Sequence, residues 1–221
     1  MIDDDATEDS AEAENLDADA NPRKKRRKPA KVNPRKLENA ALYYLQRFST
    51  SSENLRRVLM RRVYRSAHHH DTDPDEGSEW VDTVVAKMQT LGFVNDRLFA
   101  EGRVRSLLAR GTPLRGIRMR LREKGVPPEI IDEVLALVEE DDGDVDFAAA
   151  IALAKRRRLG PFSTRGDRLE RREKDMAALA RAGFGYGVVC RVIDAETPDD
   201  LDAMKNDGGG DGGLGYFPDE F

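Results

Sequence analysis

Arginines at helical spacing are the residues whose type and pattern suggest chemistry in this sequence. Arg115, Arg118 and Arg122 lie three and four residues apart, and Arg57 and Arg61 are again four apart. Such spacing places side chains on one face of a helix. A planar guanidinium makes forked contacts to phosphate or carboxylate, so an anionic or acidic partner is predicted. The predicted contact residues are Arg57, Arg61, Arg103, Arg110, Arg115, Arg118 and Arg122.

These charged faces have a second interpretation, in which they only keep exposed helices hydrated. A series of neighbouring helices that all carry arginines favours a binding role, because stacked helices can align their stripes into one track. The run from Arg23 to Lys28, RKKRRK, is typical of a tail that attracts polyanions without specificity. Aromatic residues make up 6% of the chain and do not alternate with the arginines, which argues against a base-stacking platform.

The three histidines are consecutive, His68, His69 and His70. Together with Asp71 and Asp73 they form a weak candidate for a divalent metal site. The alternative is a solvated loop without a ligand, and our main prediction is that the protein holds no metal and no cofactor.

No catalytic signature is present. The chain lacks a phosphate-cradling glycine loop, an HExxH motif and a nucleophile elbow. Cys190 is the only cysteine, so no internal disulfide can form, and its apolar neighbours predict a packing role. The sequence therefore predicts a protein that is not an enzyme.

Charge and hydropathy separate the chain into a folding part and two tails. Met1 to Ala20 is acidic, and the chain from Asp194 onward is acidic and glycine-rich. Between Lys36 and Ile193 there are 28 Lys and Arg against 24 Asp and Glu, so this part is mildly basic. No apolar run is long enough to span a membrane and the acidic N-terminus does not match a secretory signal, so a cytoplasmic location is expected. The protein is also expected to be a monomer.

Short helices with clear boundaries must position the arginines. Predicted N-caps are Asn33, Thr50 (in a capping box with Glu53), Ser78, Asn95 and Thr112, and Asp144 or Asp146 is a predicted cap further along. The segment from Leu121 to Leu135 superposes without gaps on Leu179 to Ile193, and Gly125 then matches Gly183. Such self-similarity predicts a stacked helical array, because one three-helix unit buries little apolar surface alone.

The predicted fold is all-α, with nine helices in three tandem three-helix repeats that form an elongated, curved array. The predicted boundaries are a disordered tail 1–33, repeat 1 at 34–94 with a polar loop at 66–78, repeat 2 at 95–142, repeat 3 at 143–193, and a disordered tail 194–221.

Three segments resemble the RecX family of recombination regulators: LGFVNDRLFAEGRV, RGTPLRGIRMRLREKGV and LARAGFGYGVVCRVI. The resemblance covers residues 36–193 and is most specific in the middle repeat. Its motif residues are Leu91, Phe93, Asp96, Phe99, Ala100, Gly111, Leu121, Gly125, Gly183 and Phe184.

The resemblance implies a non-enzymatic modulator of RecA in homologous recombination, DNA repair and the SOS response. Such a protein binds within the groove of the RecA–DNA filament and hinders filament growth, ATPase and strand exchange. RecA would supply the nucleotide and magnesium site. Weak binding to single- or double-stranded DNA is a further expectation. The alternative is a helical-repeat protein that binds nucleic acid directly and acts independently of RecA.

Overall fold

The computed structural model describes residues 30–142, 144–164 and 168–207, and within these ranges helix is the only regular secondary structure. The all-α prediction is confirmed. The described residues form ten α-helices and one short 3-10 helix, Gly160–Phe162, rather than the nine helices predicted. The α-helices are α1 (Pro34–Leu45), α2 (Ser52–His69), α3 (Pro74–Thr90), α4 (Asp96–Ala109), α5 (Leu114–Glu123), α6 (Pro128–Asp142), α7 (Val145–Arg157), α8 (Arg168–Ala182), α9 (Tyr186–Asp194) and α10 (Pro198–Asp207).

The helices form three groups, each around its own buried cluster. Unit 1 contains α1 to α3, unit 2 contains α4 to α6, and unit 3 contains α7 to α10. Leu59 is fully buried in the first cluster, Leu121 in the second and Leu179 in the third. Leu108 of unit 2 packs against the clusters of both unit 2 and unit 3. Units 2 and 3 are therefore in contact and not separate globules.

The superposition of Leu121–Leu135 on Leu179–Ile193 agrees with the structure. Gly125 and Gly183 both have positive φ, +75° and +103°, which L residues with a Cβ rarely adopt. In each turn the amide of the next residue bonds back to the matched leucine carbonyl, at 3.0 Å for Val126 and 3.3 Å for Phe184. The two stretches therefore end one helix and begin the next in the same way.

Three of the predicted helix caps are present and three are not, since Ser51 rather than Thr50 caps α2 and Asp73 rather than Ser78 caps α3. The side chains of Asn33, Asn95 and Asp144 accept the amides of residues three positions further on, as N-caps do. Thr112 does not cap α5, which begins at Leu114 after Pro113. The Leu114 amide instead donates to a carboxylate of the next unit, so a cap from outside the helix replaces the predicted local one.

The predicted polar loop 66–78 is wrong for most of its length. Helix α2 continues to His69, and α3 begins at Pro74 behind the N-cap Asp73. Ser66 is buried although it is polar, because its hydroxyl bonds Thr72 at 2.8 Å and accepts the Val32 amide at 3.1 Å. Ser66 thus occupies a core position as a hydrogen-bonded polar side chain. It interrupts the apolar periodicity from which the end of the helix was predicted.

The predicted C-terminal tail 194–221 is also wrong in part. Residues 198–207 form α10, and Leu201 in this helix is fully buried. Thr197 and Asp200 bond each other's amides reciprocally at the start of the helix, at 2.8 and 3.3 Å. Helix α10 packs on α7, as α7 packs on α4. One buried leucine and a capping box thus order a segment whose composition is mostly polar. Residues 1–29 and 208–221, the rest of the two predicted tails, lie outside the described residues.

Candidate interaction surface

The C-terminal end of α5 meets the N-terminal end of α2, which joins unit 2 to unit 1. The Ser51 hydroxyl donates to the Lys124 carbonyl, and Nη1 of Arg57 donates to the Glu123 carbonyl at 2.8 Å. A Cβ at Gly125 would lie 2.5 Å from Cγ of Glu53, so glycine is required for this approach. The carbonyl end of one helix dipole thereby faces the amide end of another, which is a favourable arrangement.

Asp96, at the start of α4, completes this joint. Its Oδ1 accepts the Ser52 backbone amide at 2.7 Å, and its Oδ2 accepts the Ser52 hydroxyl at 2.6 Å. The side chain is buried. A carboxylate at the N-terminus of a helix satisfies an otherwise unpaired amide and interacts favourably with the dipole. The first helix of unit 2 therefore caps the second helix of unit 1.

The joint between units 2 and 3 repeats this arrangement. Oδ1 of Asp146, at the start of α7, accepts the Leu114 amide at 2.8 Å. Gly111 lies so close to α7 that a Cβ would meet the Leu153 amide nitrogen at 2.5 Å. Gly183 follows α8 and lies against Pro113, the residue before α5. A Cβ at Gly183 would lie 3.4 Å from Cγ of Pro113. Both joints therefore place a carboxylate of the following unit on the first amide of a middle helix.

The middle helices of units 1 and 2 are strongly basic. Helix α2 contains five arginines and one acidic residue, and α5 contains four arginines and one acidic residue. The third helices are the opposite, since α6 contains seven acidic residues and no basic one, and α3 contains four acidic residues and one lysine. Positive and negative charge are thus separated by the position of the helix within its unit.

One arginine of each middle helix pairs with an aspartate of the third helix in the same unit. The pairs are Arg56 with Asp82 at 2.7 Å, Arg118 with Asp132, and Arg172 with Asp194 at 2.6 and 2.8 Å. The hydrogen bond from Arg172 lowers the pKa of Asp194 below its ordinary value, and burial opposes this change. These pairs hold the second and third helices together and use part of the positive charge.

Five of the seven predicted contact residues belong to α5 and α2, the two helices that meet at the joint between units 1 and 2. We call these five the basic row; they are Arg115, Arg118 and Arg122 on α5, and Arg57 and Arg61 on α2. Arg57 bridges the two helices through Glu123, and Arg118 is paired with Asp132. Arg61, Arg115 and Arg122 are exposed, and no described residue pairs with their guanidinium groups.

The other two predicted contact residues are not in the basic row. Arg103 is half-buried within α4, and Arg110 is exposed at the C-terminal end of that helix. Arg110 directly precedes Gly111, so it lies near the joint with unit 3 instead. The seven residues that were predicted to form one contact surface therefore lie on three helices, α4 and α5 of unit 2 and α2 of unit 1.

The family motif residues serve mainly to build the cores and joints. Gly111, Gly125 and Gly183 adopt positive φ, and Asp96 accepts the first amide of α2. Ala100, Leu121 and Phe184 are buried, and Phe99 packs against the unit 2 cluster. Two motif residues differ, because Leu91 and Phe93 are 55% and 56% exposed at the turn between α3 and α4.

The histidines lie at the end of α2. His68 and His69 are in its last turn with their rings 4.8 Å apart in an edge contact, and His70 is the C-cap. No group of three or more His, Cys, Asp or Glu side chains in the described ranges is arranged to hold a metal ion. None of the helices in these ranges combines the length and apolar character needed to span a bilayer.

Sequence reasoning missed several residues of the joints. Asp146 was considered only as a cap for its own helix, whereas it caps α5 of the preceding unit. Ser51 and Glu53 were not recognised as joint residues, although both touch the turn after α5. The available signal was the repetition of Asn-Asp and Asp-Val-Asp at the starts of α4 and α7, which places an additional carboxylate beside each N-cap.

The chain is similar to known proteins along most of its length. Residues 95–135, which hold α4, α5 and the first half of α6, match the family model of RecX, second three-helix domain. The regulatory protein RecX of Myxococcus xanthus (strain DK1622) is 44% identical over 170 residues, which are 76% of this chain and 90% of that protein. The regulatory protein RecX of Halorhodospira halophila is 32% identical over 166 residues, 74% of this chain and 90% of that protein.

A solved structure has the same fold. The crystal structure of RecX from Lactobacillus salivarius superposes with a TM-score of 0.53 at 21% sequence identity, covering 77% of this chain and 97% of that one. The extent and identity of the match to the Myxococcus protein establish the relationship independently of the fold. This chain therefore belongs to the RecX family of regulatory proteins.

Proposed function

We propose that this protein regulates RecA by binding the RecA–DNA filament and inhibiting filament extension, ATPase and strand exchange. It acts in the cytoplasm during recombination and DNA repair, as a monomer without catalytic activity or a cofactor. Similarity to regulatory RecX proteins along units 1 to 3 supports a regulatory role.

The continuity of the basic row across a joint is the structural observation that carries this proposal. Helices α5 and α2 contain 10 and 18 residues and meet end to end. Two basic helices joined in this way offer exposed arginines at several separate points, Arg61, Arg115 and Arg122, to a partner with repeated subunits. A protein attached across neighbouring subunits would hinder the addition of the next subunit.

The test is the single-strand-dependent ATPase of a matching RecA, measured with the protein at substoichiometric amounts. We expect inhibition at ratios far below one molecule per RecA, because a protein that blocks extension acts on filament ends or on several subunits at once. Absence of inhibition at every ratio would contradict the proposed function.

A second candidate function is direct binding of nucleic acid without RecA. The concentration of positive charge on the middle helices favours it, since phosphate contacts dominate affinity for DNA. In that case inhibition of the ATPase would begin only when the protein coats the DNA. The dependence of inhibition on the ratio of protein to DNA therefore separates the two functions.

A further inference from the structure

We propose that a cavity in unit 3 binds a phenol ring, and that the ring belongs to an exposed tyrosine side chain of a partner protein. The cavity has a volume of about 270 Å³ and lies where α8, α9 and the 3-10 helix meet. Pockets for drug-sized ligands usually measure about 300 to 1,000 Å³, so a single side chain suits this smaller one. The inference goes beyond the proposed function, because it concerns another unit and none of the arginines of the basic row.

Hydrogen bonds within the protein already engage the two arginines that line the cavity. Nη1 of Arg168 donates to the Glu196 carbonyl and Nη2 donates to the Ile193 carbonyl, each at 2.9 Å. Nε and Nη2 of Arg172 donate to the carboxylate of Asp194, at 2.6 and 2.8 Å. The two guanidinium groups therefore contribute planar, positively charged groups to the lining, and the Asp194 carboxylate is paired.

Asp175 supplies the acceptor that remains in the cavity. Its side chain is 5% exposed, and its Oδ2 accepts the Gly160 amide at 2.9 Å. The charged neighbour of its Oδ1 is Nη2 of Arg171, at 3.9 Å, which is longer than a hydrogen bond. Within the described part of the chain, Oδ1 has no hydrogen-bond donor. Because a buried acceptor without a hydrogen bond is unfavourable, the cavity favours a ligand that donates one.

The charges around the cavity favour a neutral donor over a cation. Arg168, Arg171 and Arg172 lie in or beside it, against the two carboxylates of Asp175 and Asp194, so the local net charge is positive. A lysine or arginine side chain of a partner would be repelled, whereas a hydroxyl can donate to the carboxylate of Asp175 without adding charge. An aromatic ring suits the neighbouring guanidinium groups, because a cation is attracted to the face of a ring. A phenol has both properties.

Exposed apolar side chains at the cavity indicate that the phenol belongs to a protein. Leu169 lines the cavity and is 80% exposed, and Ile193 provides a second aliphatic wall. Tyr186, at the start of α9, is 77% exposed and interacts electrostatically with Arg172 and Asp194 beside the cavity. A free small molecule would leave Leu169 and Tyr186 in water. A partner chain on either side of its tyrosine would cover both, as surfaces around an aromatic anchor do in protein interfaces.

The experiment follows the Gly160 amide, which is bonded to Asp175, in proton–nitrogen correlation NMR spectra of the full chain. The probes are p-cresol, which has the ring and hydroxyl of tyrosine, and toluene, which has the same ring without the donor. We expect p-cresol to shift the Gly160 resonance saturably. It should bind at least about tenfold more tightly than toluene, because it adds a hydrogen bond to a charged group.

Two blocked pentapeptides distinguish a protein side chain from a free phenol as the source of the ring. Both consist of glycines around one central residue, which is tyrosine in the first peptide and phenylalanine in the second. The tyrosine peptide should shift the Gly160 resonance and bind at least as tightly as p-cresol, because its backbone also covers Leu169 and Tyr186. The phenylalanine peptide should bind at least about tenfold more weakly than the tyrosine peptide.

Substitutions at the cavity test the two kinds of contact separately. Asp175→Asn keeps a side-chain oxygen for the Gly160 amide and replaces the free carboxylate oxygen with a donor, so affinity for p-cresol should fall at least about tenfold. Leu169→Ala removes part of the apolar wall and should weaken binding about threefold or more. Leu98→Ala, at a leucine of α4 that is 64% exposed, is the matched control and should bind p-cresol as the wild type does.

The inference is overturned if p-cresol at millimolar concentration leaves the Gly160 resonance unchanged, or if p-cresol and toluene bind equally. Binding of p-cresol without binding of the tyrosine peptide would assign the cavity to a free phenol and overturn the assignment to a partner protein. Normal binding by a folded Asp175→Asn protein would exclude its carboxylate as the acceptor. If this variant loses helical content by circular dichroism, Leu169→Ala decides instead, since an exposed leucine is not needed for folding. None of these measurements involves RecA, so their failure leaves the proposed function standing, and the reverse also holds.

Discussion

Asp96 caps the helix that begins at Ser52, although the two residues belong to different units. Both carboxylate oxygens are used, one by the Ser52 amide and one by its hydroxyl. Asp146 makes the equivalent bond to the Leu114 amide in the next joint. The units are thus connected by hydrogen bonds from helix N-termini to carboxylates, in addition to apolar contact. Loss of either carboxylate is therefore predicted to lower the stability of the fold.

Replacing Asp96 with alanine is expected to lower the free energy of unfolding by about 2 to 3 kcal/mol. The change removes two hydrogen bonds to a charged group and leaves the Ser52 amide at the start of α2 without its acceptor, although the N-cap Ser51 remains. Chemical denaturation monitored by circular dichroism measures the effect. Glu79→Ala, an exposed acidic position on α3, is the control and should change stability by less than about 0.5 kcal/mol. Equal effects of the two substitutions would refute the role of Asp96.

Gly125→Ala should destabilise the protein more than Gly92→Ala. Both glycines have nearly the same φ, +75° and +74°, so the backbone strain of about 1 to 2 kcal/mol is shared. Only Gly125 also faces a neighbour, since its Cβ would lie 2.6 Å from Cβ of Glu53, whereas nothing lies within 4 Å at Gly92. The difference between the two unfolding free energies measures the closeness of the joint. If the two substitutions lower the unfolding free energy equally, the turn after α5 is not in close contact with α2.

Removal of residues 195–221 is expected to destabilise the protein, and removal of residues 208–221 is not. Leu201 is fully buried against unit 3, and truncating such a side chain to alanine costs about 2 to 5 kcal/mol. Leu201→Ala should therefore lower the thermal melting temperature, whereas Met204→Ala, at a position 41% exposed on the same helix, should change it little. A melting curve unaffected by Leu201→Ala would mean that α10 adds no stability.

Asp194→Asn should reduce stability at neutral pH but not in acid. The hydrogen bond from Arg172 holds the pKa of Asp194 in the folded protein below its ordinary value of 3.8, so the pair stabilises the fold above this pH. Its contribution is lost as the pH falls through the folded pKa, because the wild-type carboxyl is then also neutral. Both side chains are partly exposed and solvent screens the pair, so the effect on stability is small. Melting temperatures of the two proteins should differ at pH 6 and converge well below pH 4; a constant difference would contradict the assignment.

Local patterns predicted the helices that end in glycine because these ends depend on a few adjacent residues. Gly125 and Gly183 were matched from sequence, and each has the positive φ that this match implies. The buried pairs that follow them, such as Val134 with Val192, depend on the same short spacing. The asparagine caps at Asn33 and Asn95 are equally local, since their bonds span three residues.

Contacts between distant residues could not be predicted in this way. The bond from Ser52 to Asp96 spans 44 positions, and that from Leu114 to Asp146 spans 32. Nothing in the first partner's neighbourhood specifies the second. The same limit applies to the basic row. The spacing of the arginines within α5 and within α2 could be read from the sequence, but the contact between the ends of these helices at Arg57 could not. Whether these arginines contact a partner stays a prediction.

The caps that cross the joints impose an order on folding during synthesis. Ribosomes make the chain from its N-terminus, so α2 emerges before the carboxylate of Asp96 that completes its N-terminus. Unit 1 therefore reaches its final stability only after the start of unit 2 has left the exit tunnel, and unit 2 in turn waits for Asp146. Each unit is finished by the beginning of the next, so the nascent chain gains stability in steps that follow translation.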